Sequence, residues 1–256
     1  DYQTYKDNIK KEISFFPENY ALFPHQVFVK HFMSPTSPYR NLLLFHSTGS
    51  GKTCSTIQIT EQYKDQILKY KNKTLIITSE RLSRVFKEEL VFKACTRGTY
   101  SSDVINRKSS EFNQYYEFIT FARFYKKIKQ MPKIEGSDEK AFNEMKKIYS
   151  NRMIVVDEFQ NYKSTNSDQD NKPKLNKKES VSFRNTFLHM LLLSDHSKLL
   201  LLSATPIVDG LDDLRFIINA FHALTMQTEY VNGKYICRGH PLYIKSSNTY
   251  FNDFYY

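Results

Sequence analysis

Cysteine is scarce in this 256-residue sequence, and its spacing says more than its number. The three cysteines, Cys54, Cys95 and Cys237, lie far apart and form no C-x-x-C pair. The sequence therefore predicts neither a zinc site nor a disulfide framework. No C-x-x-C pair accompanies the seven histidines to complete a zinc motif, which favours packing or surface roles for them. Such sparse cysteine is typical of a reducing compartment, so we expect a cytoplasmic protein.

Long apolar segments are also missing. No run approaches the ~18 apolar residues of a membrane span, so we expect no membrane partner. Residues 1–6 lack the apolar core of a signal peptide. The chain does not begin with methionine, and we expect it to be a piece of a longer protein.

Basic and apolar residues are plentiful by contrast. With 40% hydrophobic and 15% aromatic residues, the chain can bury a sizeable core in one or two domains. The formal net charge of +10 favours polyanionic partners, with nucleic acid first among them. A basic surface that only keeps the protein soluble is the alternative, and charge alone leaves it open.

Glycine is rare, and its placement is informative. Two of the seven glycines fall within residues 46–53, between an apolar segment (residues 41–45) that predicts a buried strand and a helix expected to begin near Ile57. Strand, glycine loop and helix in this order are the context of a phosphate-binding P-loop. The alternative is a surface Gly/Ser turn, because His46 stands where the general P-loop pattern has glycine.

Each residue of this loop has a predicted role. The backbone N–H groups of the loop and the helix N-terminus would surround phosphate. Lys52 would reach the β- and γ-phosphates, and the Thr53 hydroxyl would hold Mg²⁺. The remaining nucleotide-binding candidates are loop residues: Ser47, Thr48, Gly49, Ser50 and Gly51.

Two further strand ends carry candidate chemistry. Apolar residues 153–156 run into the adjacent acids Asp157 and Glu158, of which one can hold Mg²⁺ and the other can orient or deprotonate water. An acidic loop start is the alternative. A second apolar strand ends at Ser203, followed by Thr205, whose hydroxyls could link the nucleotide site to a moving partner or simply form a capped turn.

Two other groups of polar residues are candidates for ligand contacts. Gln26 lies in the first turn of a helix that begins at Pro24, where its amide could pair with adenine or simply face solvent. Thr78, Ser79 and Arg81 follow another predicted strand, where a phosphate backbone could lie. A solvated helix start with Ser79 as N-cap is equally compatible.

The alternation of apolar strands with helices predicts an α/β fold with a mostly parallel sheet covered by helices on both faces. We expect a lead-in segment over residues 1–20 and an ATP-binding domain over residues 21–223. Within that domain, polar residues 163–180 predict a flexible insertion. Residues 224–256 contain Asn-Gly, which predicts a hairpin, and then the start of a linker.

The three motifs, each at the end of a strand and in this order, resemble those of the first RecA-like domain of superfamily 2 helicases and translocases. In that family the loop often reads x-x-T-G-x-G-K-T, which accommodates His46. The resemblance implies that Gln26 recognises adenine, Asp157 binds metal and Glu158 activates water. It assigns coupling of hydrolysis to movement to Gln160, Ser203 and Thr205, and places Thr78, Ser79 and Arg81 on the nucleic acid. The segments around the loop and the last motif look most like enzymes of large cytoplasmic DNA viruses, of the poxvirus nucleoside triphosphatase I and early transcription factor small-subunit type.

The resemblance implies an ATP- and Mg²⁺-dependent motor that acts on DNA or RNA. Its expected partners are a second RecA-like domain of the same parent chain and the transcription machinery, in the cytoplasm, virion or viral factory. The residues after Phe221 are too few for that second domain, so we expect this piece to bind nucleotide but turn over slowly. The alternative is a non-catalytic nucleic-acid or transcription-complex module with a regulatory nucleotide site. A nucleotide kinase or GTPase is disfavoured because no guanine-selecting motif follows a strand.

Overall fold

The fold is organised around one parallel sheet. A computed structural model describes residues 22–47, 49–91, 93–96, 100, 111–130, 139–162, 177–208, 210–231 and 234–238. The sheet strands are β1 (Asn41–Phe45), β2 (Thr74–Ile77), β3 (Tyr116–Ile119), β4 (Met153–Asp157) and β5 (Lys198–Ser203). They lie in the order β1-β5-β4-β2-β3, and every neighbouring pair is parallel.

Helices precede, connect and follow these strands, and parallel neighbours require such crossover connections. They are α1 (Pro24–Phe32), α2 (Lys52–Thr60), α3 (Lys64–Tyr70), α4 (Glu80–Val91), α5 (Lys93–Thr96), α6 (Phe121–Lys129), α7 (Glu139–Tyr149), α8 (Lys177–Leu192) and α9 (Leu211–Thr225). Short 3₁₀ turns add Glu61–Tyr63, Glu111–Gln114 and Phe159–Tyr162. Within the described residues no helix has both the length and the hydropathy of a membrane span.

The central strands are apolar on both sides because both faces of the sheet are covered. Alternate side chains point to opposite faces, so Leu75 and Ile77 join one apolar cluster while Ile76 joins the other. Buried residues of α6, α8 and α9 complete the first cluster, and those of α1, α2 and α4 complete the second. The predicted α/β class, with helices on both faces of a parallel sheet, is confirmed.

Some element boundaries differ from the prediction. Helix α2 begins at Lys52 rather than near Ile57, so the glycine loop leads directly into it. Helix α8 begins at Lys177, inside the segment predicted as a flexible insertion, because Lys and Glu at residues 177–179 are good helix formers. Residues 163–176 and the lead-in at 1–20 lie outside the described residues, and the domain boundaries stay predictions.

The predicted hairpin is present as the antiparallel pair β6 (Gln227–Val231) and β7 (Lys234–Arg238). Its Asn-Gly turn lies outside the described residues. One expectation about cysteine is wrong, since a disulfide joins Cys54 to Cys95 across 41 residues of sequence. Helix α2 packs against α5 in the fold, and this contact brings Cys54 and Cys95 together although they are distant in sequence.

Candidate nucleotide site

Four neighbouring strands bring the predicted site together at one edge of the sheet. The register pairs Phe45 of β1 with Ser203 of β5, and Leu202 of β5 with Asp157 of β4. It also pairs Val156 of β4 with Ile77 of β2. The loops that follow these strands therefore converge where open α/β sheets place their ligands.

The glycine loop has the backbone shape that phosphate binding needs. Gly49 and Gly51 have φ values of 80° and 79°, in the left-handed region that favours glycine. Lys52 opens α2 and turns back over the loop, where its Nζ donates to the carbonyl oxygen of His46 at 2.7 Å. Ser50 Oγ donates to the Ser47 carbonyl oxygen at 2.8 Å. The loop thus leads directly into the first turn of α2, whose free N–H groups are the part of a helix that binds phosphate. Thr48 lies outside the described residues.

Gln26 is a buried partner of the loop. Only 4% of it is exposed, so the solvent-facing alternative for this residue is wrong. Its Oε1 accepts the backbone N–H of Phe23 at 2.9 Å, and its Nε2 donates to the Gly51 carbonyl oxygen at 3.4 Å. A Cβ added at Gly51 would stand 2.6 Å from that Nε2. Helix α1 therefore presents an amide directly to the phosphate loop.

His46 occupies the position where the general loop pattern has glycine. Its ring contacts the His25 ring edge-on, with centroids 5.2 Å apart. Burial, followed by the nearby His25 and Lys52 charges, lowers the pKa of His46. The imidazole is therefore neutral at neutral pH and adds no positive charge beside Lys52.

The acidic pair stands opposite the loop. Burial, and then the neighbouring Glu158 carboxylate, raise the pKa of Asp157 to about 6. Thr78 Oγ1 donates to Asp157 Oδ2 at 3.2 Å and opposes that shift. Glu158 has φ 49°, an unfavourable conformation for a side chain of its size. Its Oε1 lies 3.9 Å from Lys52 Nζ, so the two halves of the site meet at this pair.

A chain of hydrogen bonds continues from the acidic pair to the last motif. Gln160 Nε2 donates to Glu158 Oε2 at 2.6 Å, and Gln160 Oε1 accepts from Ser203 Oγ at 2.7 Å. The backbone N–H of Thr205 donates to Ser203 Oγ at 2.9 Å. Together with the Lys52 contact, the chain connects an exposed loop after β5 to the phosphate loop. A change at Thr205 can therefore reach Glu158 through three successive bonds.

The residues predicted to touch nucleic acid separate into two groups. Thr78 is only 2% exposed and its hydroxyl serves Asp157, so it belongs with the acidic pair rather than on a backbone-binding surface. Sequence analysis missed this role, because the partner is 79 residues away. Ser79 and Arg81 are exposed. Ser79 Oγ accepts the backbone N–H of Leu82 at 3.2 Å, so it also serves as the predicted cap of α4.

The donor set fits a magnesium ion. Asp157 and Glu158 are adjacent carboxylates whose mutual repulsion a divalent cation would relieve, and Thr53 lies in the first turn of α2. Within the described residues no group of three His, Cys, Asp or Glu side chains could hold a metal. Magnesium in phosphate sites takes only one or two carboxylates, with water and phosphate as its other ligands.

The fold and the order of the motifs at its strand ends define the class of helicase-type ATPase domains. The chain belongs to the family described as Type III restriction enzyme, res subunit, whose sequence profile matches residues 6–208. This match confirms the resemblance drawn from the three motifs.

Several similar proteins come from viruses. A candidate ATP-dependent RNA helicase of Acanthamoeba polyphaga mimivirus is 27% identical over 245 residues, which cover 82% of this chain and 20% of the relative. A candidate helicase of Frog virus 3 (isolate Goorha) is 29% identical over 155 residues, covering 57% of this chain and 15% of the relative. A candidate helicase of Invertebrate iridescent virus 3 is 24% identical over 252 residues, which cover 90% of this chain and 24% of the relative. The chain thus spans a quarter or less of the length of these three relatives.

A solved structure is also similar. The ATPase core of a SWI2/SNF2 protein of Sulfolobus solfataricus, in complex with double-stranded DNA, aligns with a TM-score of 0.44 and 19% identity. The alignment covers 77% of this chain and 35% of that one.

Proposed function

We propose that this chain is the ATP-binding motor domain of a nucleic-acid helicase or translocase. The observation that carries the proposal is the chain of hydrogen bonds from Thr205 through Ser203 and Gln160 to Glu158. The Glu158 carboxylate in turn forms an ion pair with Lys52, with 3.9 Å between Oε1 and Nζ. A motor needs such a connection, because ATP hydrolysis must change the conformation of a surface that another domain can contact.

Each site residue has a role in this proposal. Lys52 and the first turn of α2 hold the phosphates, and Gln26 contacts adenine beside the loop. Glu158 orients the attacking water and accepts its proton. Gln160 fixes the Glu158 carboxylate in position. A Mg²⁺ ion held by Thr53, Asp157 and the phosphates would neutralise charge on the transferred phosphoryl group.

The proposal extends to the nucleic acid that the motor binds and to the process in which it acts. The net charge of +10, with Ser79 and Arg81 exposed at the site edge, supports binding to a DNA or RNA backbone. We further propose a role in viral transcription or genome processing, in a cytoplasmic setting; the support is that the similar helicases are viral. A second RecA-like domain of the parent protein would supply arginine to the γ-phosphate, which contributes on the order of 10³–10⁵ in rate.

Equilibrium binding of a fluorescent, non-hydrolysable ATP analogue with Mg²⁺ tests the nucleotide site in this chain alone. We expect Lys52→Ala to abolish binding, because it removes the main cation facing the phosphates. Lys69→Ala, an exposed lysine on α3, is the matched control and should bind normally. Gln26→Ala should narrow the preference for ATP over GTP in competition. Equal binding by Lys52→Ala and the unchanged chain would contradict the proposal.

A further inference from the structure

The disulfide lies directly behind the phosphate loop. Cys54 follows Thr53 in the first turn of α2, and Cys95 lies in α5, which follows α4. The two Cα atoms are 5.3 Å apart, well within the range that a disulfide spans without backbone movement. The bond therefore ties the turn that carries Lys52 and Thr53 to a second element of the fold.

Packing holds the two cysteines together independently of the bond. The Gln58 side-chain amide on α2 donates to the Cys95 carbonyl oxygen. Cys95 is 3% exposed within the apolar cluster that α2 and α4 share, and Cys54 packs against the same cluster. The reduced pair would thus remain close enough to close again, which is what a reversible bond requires.

The two cysteines differ in access. Cys54 is half-buried and Cys95 is buried, with Glu89 Oε2 3.4 Å from its sulfur. An external reagent therefore reaches Cys54 first, and Cys95 is placed to resolve the intermediate. Thiol–disulfide exchange proceeds in this way when an accessible sulfur forms the mixed disulfide and a neighbouring sulfur then displaces the external group.

We propose that Cys54 and Cys95 form a reversible redox lock that sets the nucleotide affinity of the adjoining phosphate loop. The proposal rests on the nucleotide-binding function given above. In the oxidised form the first turn of α2 is already fixed, so less conformational freedom is lost when phosphate binds. The oxidised chain binds nucleotide more tightly than the reduced chain.

The oxidant is a low-molecular-weight disulfide such as oxidised glutathione. Cys54 Sγ loses its proton to solvent and bonds to one sulfur of that disulfide, and the other half leaves and takes up a proton as a thiol. Cys95 Sγ then loses its proton and bonds to Cys54 Sγ, which releases the second half as a thiol in the same way. Two cysteine thiols and one external disulfide become one protein disulfide and two external thiols.

The test compares nucleotide affinity in the two redox states. The chain is equilibrated with oxidised or reduced glutathione, its free thiols are counted by alkylation and mass spectrometry, and binding of a fluorescent, non-hydrolysable ATP analogue with Mg²⁺ is titrated. We expect the oxidised chain to bind at least roughly 5-fold more tightly, the lower end of typical coupling between sites. In reduced glutathione, Cys95→Ser should bind nucleotide like the reduced chain. In oxidised glutathione it should stop at the mixed disulfide, which mass spectrometry detects as one glutathione on Cys54. Cys237 is the remaining cysteine of the chain and lies on β7, so Cys237→Ser should keep the difference in nucleotide affinity between the oxidised and reduced chains.

The remaining outcomes separate the two proposals. Equal affinity in both states, with the disulfide shown by mass spectrometry, would leave the bond a structural one and overturn the redox lock alone. Two free thiols at residues 54 and 95 in oxidised glutathione would overturn it as well. Nucleotide binding in neither state would overturn the proposed nucleotide site and the lock together. Thermal unfolding of Cys95→Ser establishes that this variant is folded under the assay conditions.

Discussion

A methyl group added at Gly51 should report on the contact between Gln26 and the phosphate loop. Gly51→Ala forces alanine into φ 79°, which costs about 1–2 kcal/mol for an L-residue in the left-handed region. Its Cβ would also stand 2.6 Å from Gln26 Nε2, so the amide must move. Moving it disturbs the bonds to Phe23 and Gly51, at about 0.5–1.5 kcal/mol per bond. We expect a total loss of about 2–5 kcal/mol.

Gly49→Ala is the matched control for this substitution. Gly49 has φ 80°, the same conformational cost, but a Cβ there would meet nothing within 4 Å. We therefore expect Gly49→Ala to cost about 1–2 kcal/mol only. Placing both changes in a Gln26→Ala background completes a double-mutant cycle, in which the excess cost of Gly51→Ala should vanish.

Urea unfolding followed by circular dichroism measures these differences. We predict that Gly51→Ala lowers the unfolding free energy by about 1–3 kcal/mol more than Gly49→Ala when Gln26 is present, and by the same amount when Gln26 is absent. Equal costs in both backgrounds would show that the buried Gln26 amide does not contact the loop. The assignment of Gln26 to the nucleotide would then lose its structural support.

Three other changes test separate parts of the structure. Gln160→Glu replaces the amide that donates to Glu158 with a carboxylate. Polymer-stimulated ATP hydrolysis by the complete protein should therefore fall about 10- to 100-fold, with little change in nucleotide affinity. An unchanged rate would contradict a coupling role for the hydrogen bonds that join Thr205 to Glu158. Reduction of the Cys54–Cys95 bond should lower the unfolding free energy by about 2–4 kcal/mol in urea titrations, and a reduced chain as stable as the oxidised one would argue against the bond. Burial lowers the pKa of His189 to about 4, so the folded state binds fewer protons than the unfolded state between pH 4 and 6.5. Stability should therefore fall as pH drops through that window, by on the order of 1 kcal/mol at pH 5 after allowance for partial exposure, and His189→Gln should flatten the profile.

Local sequence was enough to predict the sheet and the ends of its strands. The apolar runs before His46, Asp157 and Ser203 are too hydrophobic for an exposed segment and too short for a membrane span. Ser79 was predictable as a helix cap because its partner, the N–H of Leu82, is three residues away. The family resemblance was correct because each of its three motifs is a short local segment that follows a strand.

Contacts between distant segments were not predictable. Gln26 is buried by a loop 25 residues further along, and Cys54 meets Cys95 across 41 residues. The start of α2 at Lys52 was missed because Lys-Thr-Cys-Ser-Thr has no apolar period, and it is the left-handed Gly51 that sets this start. These features depend on how helices pack on a sheet, which single-sequence patterns do not contain.

The most direct test of the motor assignment is ATP hydrolysis by the complete natural protein that contains this chain. Rates would be measured alone and with single-stranded DNA, duplex DNA and RNA, with Glu158→Gln as the paired variant. We predict that one polymer stimulates hydrolysis and that Glu158→Gln lowers the stimulated rate about 10²- to 10⁴-fold while ATP still binds. ATP binding with no hydrolysis above the Glu158→Gln level, under every polymer, would contradict a motor and favour a regulatory nucleotide module.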